Sequence, residues 1–169
     1  MAKIGMKKFK LTIVLLLVAT VLFAQKSPRT QTSGKIGSVT VDIDYSAPSV
    51  KGRIIWGGLV KHENVWRAGA DVNTTFSFDE EVIIGDTTIE AGKYGFFIIP
   101  NENEDWVVIL NSKNDAWGAY SYNEDEDVVR FNITPEFVKE NQEVLNYEVS
   151  NDGIIIAWEK ARIFIPISN

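Results

Sequence analysis

Between Pro48 and Asn73 the chain reads P-S-V-K-G-R-I-I-W-G-G-L-V-K-H-E-N-V-W-R-A-G-A-D-V-N. This stretch gathers Lys51, Arg53, Trp56, Trp66, Arg67 and the only histidine, His62. A second aromatic set, Trp117, Tyr120 and Tyr122 with Gly118, lies in the polar segment from Asn111 to Asp127. Indole and phenol rings offer flat apolar faces for stacking, and guanidinium groups offer planar donors that orient a ligand. Together they are the chemistry of carbohydrate or peptide recognition. The same residues also suit a purely structural role, plugging the ends of a β-sandwich, since Trp and Arg stack on one another. The sequence leaves both readings open.

Reactive chemistry is harder to assemble. Catalytic zinc takes three ligands from His, Cys and carboxylates, and one histidine with no cysteine cannot supply the usual sets. No G-x-S-x-G turn presents a serine to His62, which reads as a turn residue hydrogen-bonded to a neighbour or to water. Paired carboxylates could hydrolyse glycosidic bonds, and Glu63, Asp71, Asp115 and Glu124 to Asp127 supply acids. No acid, base and nucleophile match, however, so a glycan hydrolase stands as the alternative and a non-catalytic binding or structural domain as the first reading. The run Asn123-Glu124-Asp125-Glu126-Asp127 lacks the alternating order of a calcium loop and reads as a solvated acidic loop. Lys51-Gly52-Arg53 and Gly57-Gly58 could form an anion nest but match no phosphate-binding motif. No catalytic residue, metal or cofactor is expected.

The elements that must hold these residues are strands. Pro48, Gly52, Gly57, Gly58 and Gly69 break any period in the first stretch, which is therefore a long shaped loop. Val39, Val41, Ile43 and Tyr45 alternate with Thr40, Asp42 and Asp44, as in a strand with one buried face. Val72, Thr74, Phe76 and Phe78 repeat the pattern. Gly85-Asp86 joins Val82–Ile84 to Thr87–Ile89 as a tight hairpin. Tyr94 to Ile99 is apolar on both faces, which suits a central, doubly covered strand. Trp106–Leu110, Val128–Ile133, Val144–Val149, Ile154–Glu159 and Arg162–Ile167 complete the set, with Glu136–Gln142 as a helical turn or irregular link. Mostly antiparallel short strands at this spacing predict an all-β fold, a β-sandwich or jelly roll.

Residues 1–24 carry Lys3, Lys7, Lys8 and Lys10, then an apolar run from Leu11 to Phe23, and end at Ala24. This is the layout of a signal peptide; the run has 13 residues, where a membrane span needs about 20. Residues 25–37 read as a flexible or edge-hugging leader, and 38–169 as a single domain. Removing 24 of 169 residues leaves 145 beginning at Gln25, and losing four lysines and no acid takes the net charge from −6 to −10. So acidic a surface repels nucleic acid and anionic lipid, and no membrane association is expected after cleavage. A monomer in the periplasm or outside the cell is expected, and without cysteine it must hold together by burial alone.

The motifs P-S-V-K-G-R-x-I-W-G-G-L-V, V-W-R-x-G-A, A-G-K-Y-x-x-F-x-I-P, W-G-x-Y-x-Y and D-V-x-R resemble a family of exported bacterial domains of unknown function. The resemblance runs from about Ser38 to the end, and implies an exported β-rich domain with no established activity. It covers Lys51, Gly52, Arg53, Trp66, Arg67, Gly69, Ala70, Gly92, Tyr94, Trp117, Gly118, Tyr120, Tyr122, Asp127 and Arg130. Ala47 stands where Arg is common, Lys61-His62 where Pro-Tyr is common and Asp71 where Asn is common, which weakens any role for His62 or Asp71. The candidate binding or loop-organising set is therefore Lys51, Arg53, Trp56, Trp66, Arg67, Trp117, Tyr120, Tyr122, Asp127 and Arg130. Within it, Asp127 is the acid expected to hold Arg53 or Arg67.

Overall fold

The computed structural model describes residues 26–169. The expected signal peptide lies outside the described residues. Ten strands form two sheets: β1 (Arg29–Ile36), β2 (Val39–Ser46), β3 (Thr74–Phe78), β4 (Val82–Ile84), β5 (Thr87–Ile89), β6 (Gly92–Ile99), β7 (Trp106–Asn111), β8 (Asp127–Ile133), β9 (Glu136–Ser150) and β10 (Gly153–Ser168). One sheet runs β1-β2-β3-β6-β7-β8 and the other β5-β4-β10-β9. Every ladder between these strands is antiparallel. The fold is a β-sandwich. Among the described residues no helix is long and apolar enough to cross a membrane.

The alternation in β2 does what its period requires. Val39, Val41, Ile43 and Tyr45 are buried in one core with Phe76, Phe78, Phe96 and Ile98. Ile43 opposes Phe76 across the β2–β3 ladder, and the Phe76 and Phe96 rings stack with centroids 4.1 Å apart. The opposite sheet supplies Leu145, Tyr147, Ile154, Ile156 and Trp158 to the same core. β6 is covered on both faces: Phe96 and Ile98 point into the core, while Phe97 is buried on the outer face against Tyr122. Val72 falls outside the strand expected there and is part exposed, because the ladder begins at Thr74.

Three expectations are corrected. Of the flexible or edge-hugging leader expected, residues 26–37 take the second form and the sandwich begins before residue 38: β1 pairs with β2 from Arg29↔Ser46 to Ile36↔Val39, and the Thr32 hydroxyl donates to the Tyr147 carbonyl at 3.2 Å. An edge strand can be this polar because ladder bonds hold it and one face stays wet. Residues 136–142, expected as a turn or link, belong to β9, whose first half has no apolar period because it is an exposed sheet edge. Finally, Ile154–Glu159 and Arg162–Ile167 are arms of one strand, so the closing strands are long, not short. Register shifts flank Glu159, which has φ 52°. A straight strand would separate Gly153 from Ile165 by about 40 Å. Instead a Cβ on Gly153 would lie 2.1 Å from the Ile165 carbonyl oxygen, so β10 bends back on itself.

Candidate functional site

The 48–73 loop is strained and held at many points. Among the described residues, four of the five non-glycine residues with positive φ lie in it: Lys51, Glu63, Ala68 and Asp71. Each costs about 1–3 kcal/mol and persists only where the surroundings dictate it. At Ala68 they do: its carbonyl accepts from the Tyr147 hydroxyl at 2.6 Å and the Thr74 hydroxyl at 3.1 Å. Trp66 exchanges two backbone bonds with Ile98 on β6, and its indole N–H donates to the Gly69 carbonyl at 3.1 Å.

Trp56 and Trp66 are thereby packed into the protein. Trp56 meets Trp106 at 4.6 Å, Trp66 at 5.6 Å and Trp158 at 5.8 Å, and Trp66 stacks on Trp158 at 5.5 Å. This four-indole plug fills the end of the sandwich. Trp106 and Trp158 were not singled out in the sequence, since each sits in an ordinary strand pattern. Two indole N–H groups, on Trp56 and Trp158, are buried without a partner among the described residues.

The Asn111–Asp127 loop folds over the outer face of β6 and β7. Buried Asn111 ties its ends together by donating to the Asn123 carbonyl at 2.9 Å and to Asp127 Oδ1 at 2.8 Å. Asp127 Oδ2 accepts from the Tyr122 hydroxyl at 2.6 Å and lies 3.3 Å from Arg130 Nε. Arg130 also donates to Tyr122 Oη and to Glu124 Oε1, both at 2.9 Å. Asp127 is therefore taken by Arg130, Tyr122 and Asn111, and the expected pairing with Arg53 or Arg67 does not form. Arg130 is three residues along the same strand and competes for the carboxylate without any loop having to close. Tyr122, Asp127 and Arg130 lock the loop.

Burial first, and the hydrogen bond to Asp127 second, push the Tyr122 phenol up to about 12, with Arg130 opposing. Its folded value lies above its unfolded one, so the stability it lends is complete below pH 10 and is lost as pH rises through about 12. In urea titrations between pH 9 and 11.5, the advantage of wild type over Tyr122→Phe is expected to shrink with rising pH. Parallel curves would remove Tyr122 from the locking network.

The two loops meet at one seam. Val72 bridges Trp117, the Asn73 N–H donates to the Ala116 carbonyl, and the Gly118 N–H donates to the Asp71 carbonyl, both at 3.0 Å. Gly118 takes φ 70°, and a Cβ there would sit 3.5 Å from Arg67 Nη1 and 3.2 Å from the Tyr120 ring. Arg67 is thus brought close to Tyr120 across Gly118; Tyr120 is 92% exposed and Trp117, the residue before Gly118, 59%.

On its other side Arg67 lines a cleft of about 510 Å³, with Lys26, Lys51, Arg53 and the edges of Trp66 and Trp158. None of the lining residues is acidic. Arg53 spends its donors on the Val50 and Ser49 carbonyls, which leave its charge uncompensated. The Lys51 N–H donates to Glu143 Oε1 at 2.9 Å. Arg67 makes no side-chain hydrogen bond or ion pair among the described residues, and its Nε is buried without an acceptor. Lys26 belongs to the expected leader, and nothing in its sequence neighbourhood points to this cleft.

Of the acids noted in the sequence, Asp71 follows lining residue Ala70 and keeps Oδ2 buried without a partner among the described residues, while others pair elsewhere. Asp115 pairs with Lys113 at 2.6 Å, and Glu124 with Arg130. His62 Nδ1 lies 3.9 Å from Glu102 Oε2. Among the described residues no three His, Asp or Glu side chains are grouped to hold a metal ion.

The family described as "Protein of unknown function (DUF2911)" matches residues 27–167. The chain belongs to this family. No curated protein and no solved structure matches it. The matched span of the DUF2911 domain includes β1, consistent with that strand being part of the sandwich. It also contains both loops and all four indoles of the plug.

Proposed function

We propose that this DUF2911 protein is an exported, non-catalytic binding domain, monomeric in solution, that takes a carbohydrate or peptide ligand at the Arg67 cleft. One observation carries the reading: a half-buried guanidinium without a partner, in a cleft that no carboxylate lines. A buried donor left unsatisfied costs about 1–3 kcal/mol, and a purely structural arginine would be expected to have its acid. A ligand acceptor offsets that cost on binding. The alternative, a glycan hydrolase, needs two carboxylates converging on a cleft, and this cleft is lined by none.

A glycan and peptide array screened with the mature protein tests the proposal, with Arg67→Lys run beside it. Because Arg67 holds no carboxylate and the substitution removes its unsatisfied buried Nε, Arg67→Lys is expected to lose no stability. Any array ligand should bind it less well, since lysine cannot present a planar fork. A clear fall in melting temperature with binding unchanged would make Arg67 structural and overturn the proposal.

Export rests on the layout of residues 1–24. Mass spectrometry of the secreted product is expected to find Gln25 at the N-terminus, open or cyclised to pyroglutamate. A membrane-bound chain that keeps residues 1–24 would mean an anchor instead.

A further inference from the structure

We infer that the ligand is a short acidic oligosaccharide, with the carboxylate of a terminal uronate on Arg67 and a sugar ring stacked on Trp117 and Tyr120. This rests on the binding proposal above and names the ligand class for that site. The charge argument comes first. The chain carries net −6, yet Lys26, Arg53 and Arg67 line this one cleft with no acid in its lining, Lys51 having Glu143 at its N–H. Such a reversal of local sign attracts an anion, and a guanidinium with free N–H groups matches the two oxygens of a carboxylate. The surrounding acidic surface repels a polyanion, so a single anionic group on an otherwise neutral chain fits best.

The aromatic argument is independent of charge. Most rings of this domain are packed into it, whereas Tyr120 stands open across Gly118 from Arg67 and Trp117, which precedes Gly118 in the chain, is open too. Both lie outside the lining of the cleft, so a ligand of two or more residues must reach over Arg67 to them. An exposed indole costs apolar surface in water, and the C–H face of a pyranose ring covers such a surface well. A volume of about 510 Å³ falls within the range of about 300–1,000 Å³ of small-ligand sites.

An extended peptide is disfavoured by the backbone around the cleft. Recognition by strand addition needs free ladder groups. Here the N–H groups of Ala47, Val50, Arg53 and Ala70 already donate to Pro28, Glu143, Val50 and Ser46. Hydroxyl-rich ligands need no such edge.

Isothermal titration of the mature protein tests this. The probes are trisaccharides ending in glucuronate, galacturonate or mannuronate, their neutral counterparts, and a tripeptide with one aromatic residue and a free carboxylate. At least one uronate should bind about tenfold to a hundredfold more tightly than its neutral counterpart, the ratio a charge-assisted hydrogen bond supplies. Arg67→Gln should abolish that ratio, and Trp117→Ala should weaken acidic and neutral sugars alike. Both variants should melt within a few degrees of wild type, and if Arg67→Gln does not, Arg67→Lys, which keeps the charge but not the planar fork, should lower the ratio rather than abolish it. Equal affinity for acidic and neutral sugars would overturn the role of the carboxylate. Arg67-dependent binding of the tripeptide without the sugars would overturn the sugar class and keep the binding domain. No binding by any probe at millimolar concentration would end both.

Discussion

Replacing Phe96 by alanine is expected to lower stability by about 3–5 kcal/mol, the usual cost of removing a buried phenyl ring. Phe96 is fully buried on β6, stacked on Phe76 at 4.1 Å and edge-on to Tyr147 at 6.2 Å, so it touches both sheets at once. Its neighbours belong to paired strands and cannot collapse into the space: Thr74 and Leu110 flank it in the ladders of β3 and β7. The residual cavity then adds to the lost transfer free energy. Against a typical total of about 5–15 kcal/mol, much of the margin disappears. For a domain of this length the melting temperature should fall by about 10–15 °C. Calorimetry of the variant beside wild type decides it. A shift under two degrees would mean that the sheets do not face one another across this ring.

Gly95→Ala is expected to cost about 1–3 kcal/mol by overpacking, and to loosen the candidate site selectively. A Cβ at this position would meet the Lys113 carbonyl oxygen at 2.2 Å and the Phe97 ring at 3.2 Å. The obstacle is backbone, and it cannot swing aside freely. The Lys113 N–H donates to Asn111 Oδ1 at 2.9 Å, Asn114 donates to the Lys93 carbonyl at 2.7 Å, and the Ser112 N–H donates to the Glu126 carbonyl at 2.9 Å. The loop must therefore lift from β6, uncovering Phe97 and Ile109 and pulling Trp117 from its bridge to Val72. Hydrogen exchange should rise across residues 112–122 while β2 and β10 stay protected. Exchange unchanged in that loop would show that it does not rest on β6 through Gly95.

Gly95 also shows where reading the sequence stops. Tyr94 to Ile99 announced a strand covered on both faces, because apolar residues fill both phases of its period. What covers the outer face was not legible there. The cover is a loop, and a loop carries no period from which its partner can be read. The same division runs through the ten candidate residues. Trp56, Trp66 and Trp117 look alike in sequence, each beside a glycine or arginine. Two of them meet Trp106 and Trp158, which are distant in the chain, and become a plug; the third meets Val72 and stays open. Asp127, the acid expected for Arg53 or Arg67, pairs with Arg130 instead, because a partner three residues away costs less ordering than one brought in by another loop.

Strand count and edge were limited by the same physics. The alternation of β2 and the Gly85-Asp86 hairpin were readable because a half-buried strand and a tight turn impose local rules on residue type. β1 and the first half of β9 were not, since an edge strand is specified by the neighbour that binds its ladder rather than by its own side chains. By itself, then, the sequence determined an all-β chain with its aromatic and cationic residues concentrated in two loops. Only the tertiary structure decided which of those residues fill the core, which lock a loop, which stay open to solvent and that Arg67 is half-buried without a partner among the described residues. Burial and pairing are set by long-range contacts, and these exist only once the sheets have closed on each other.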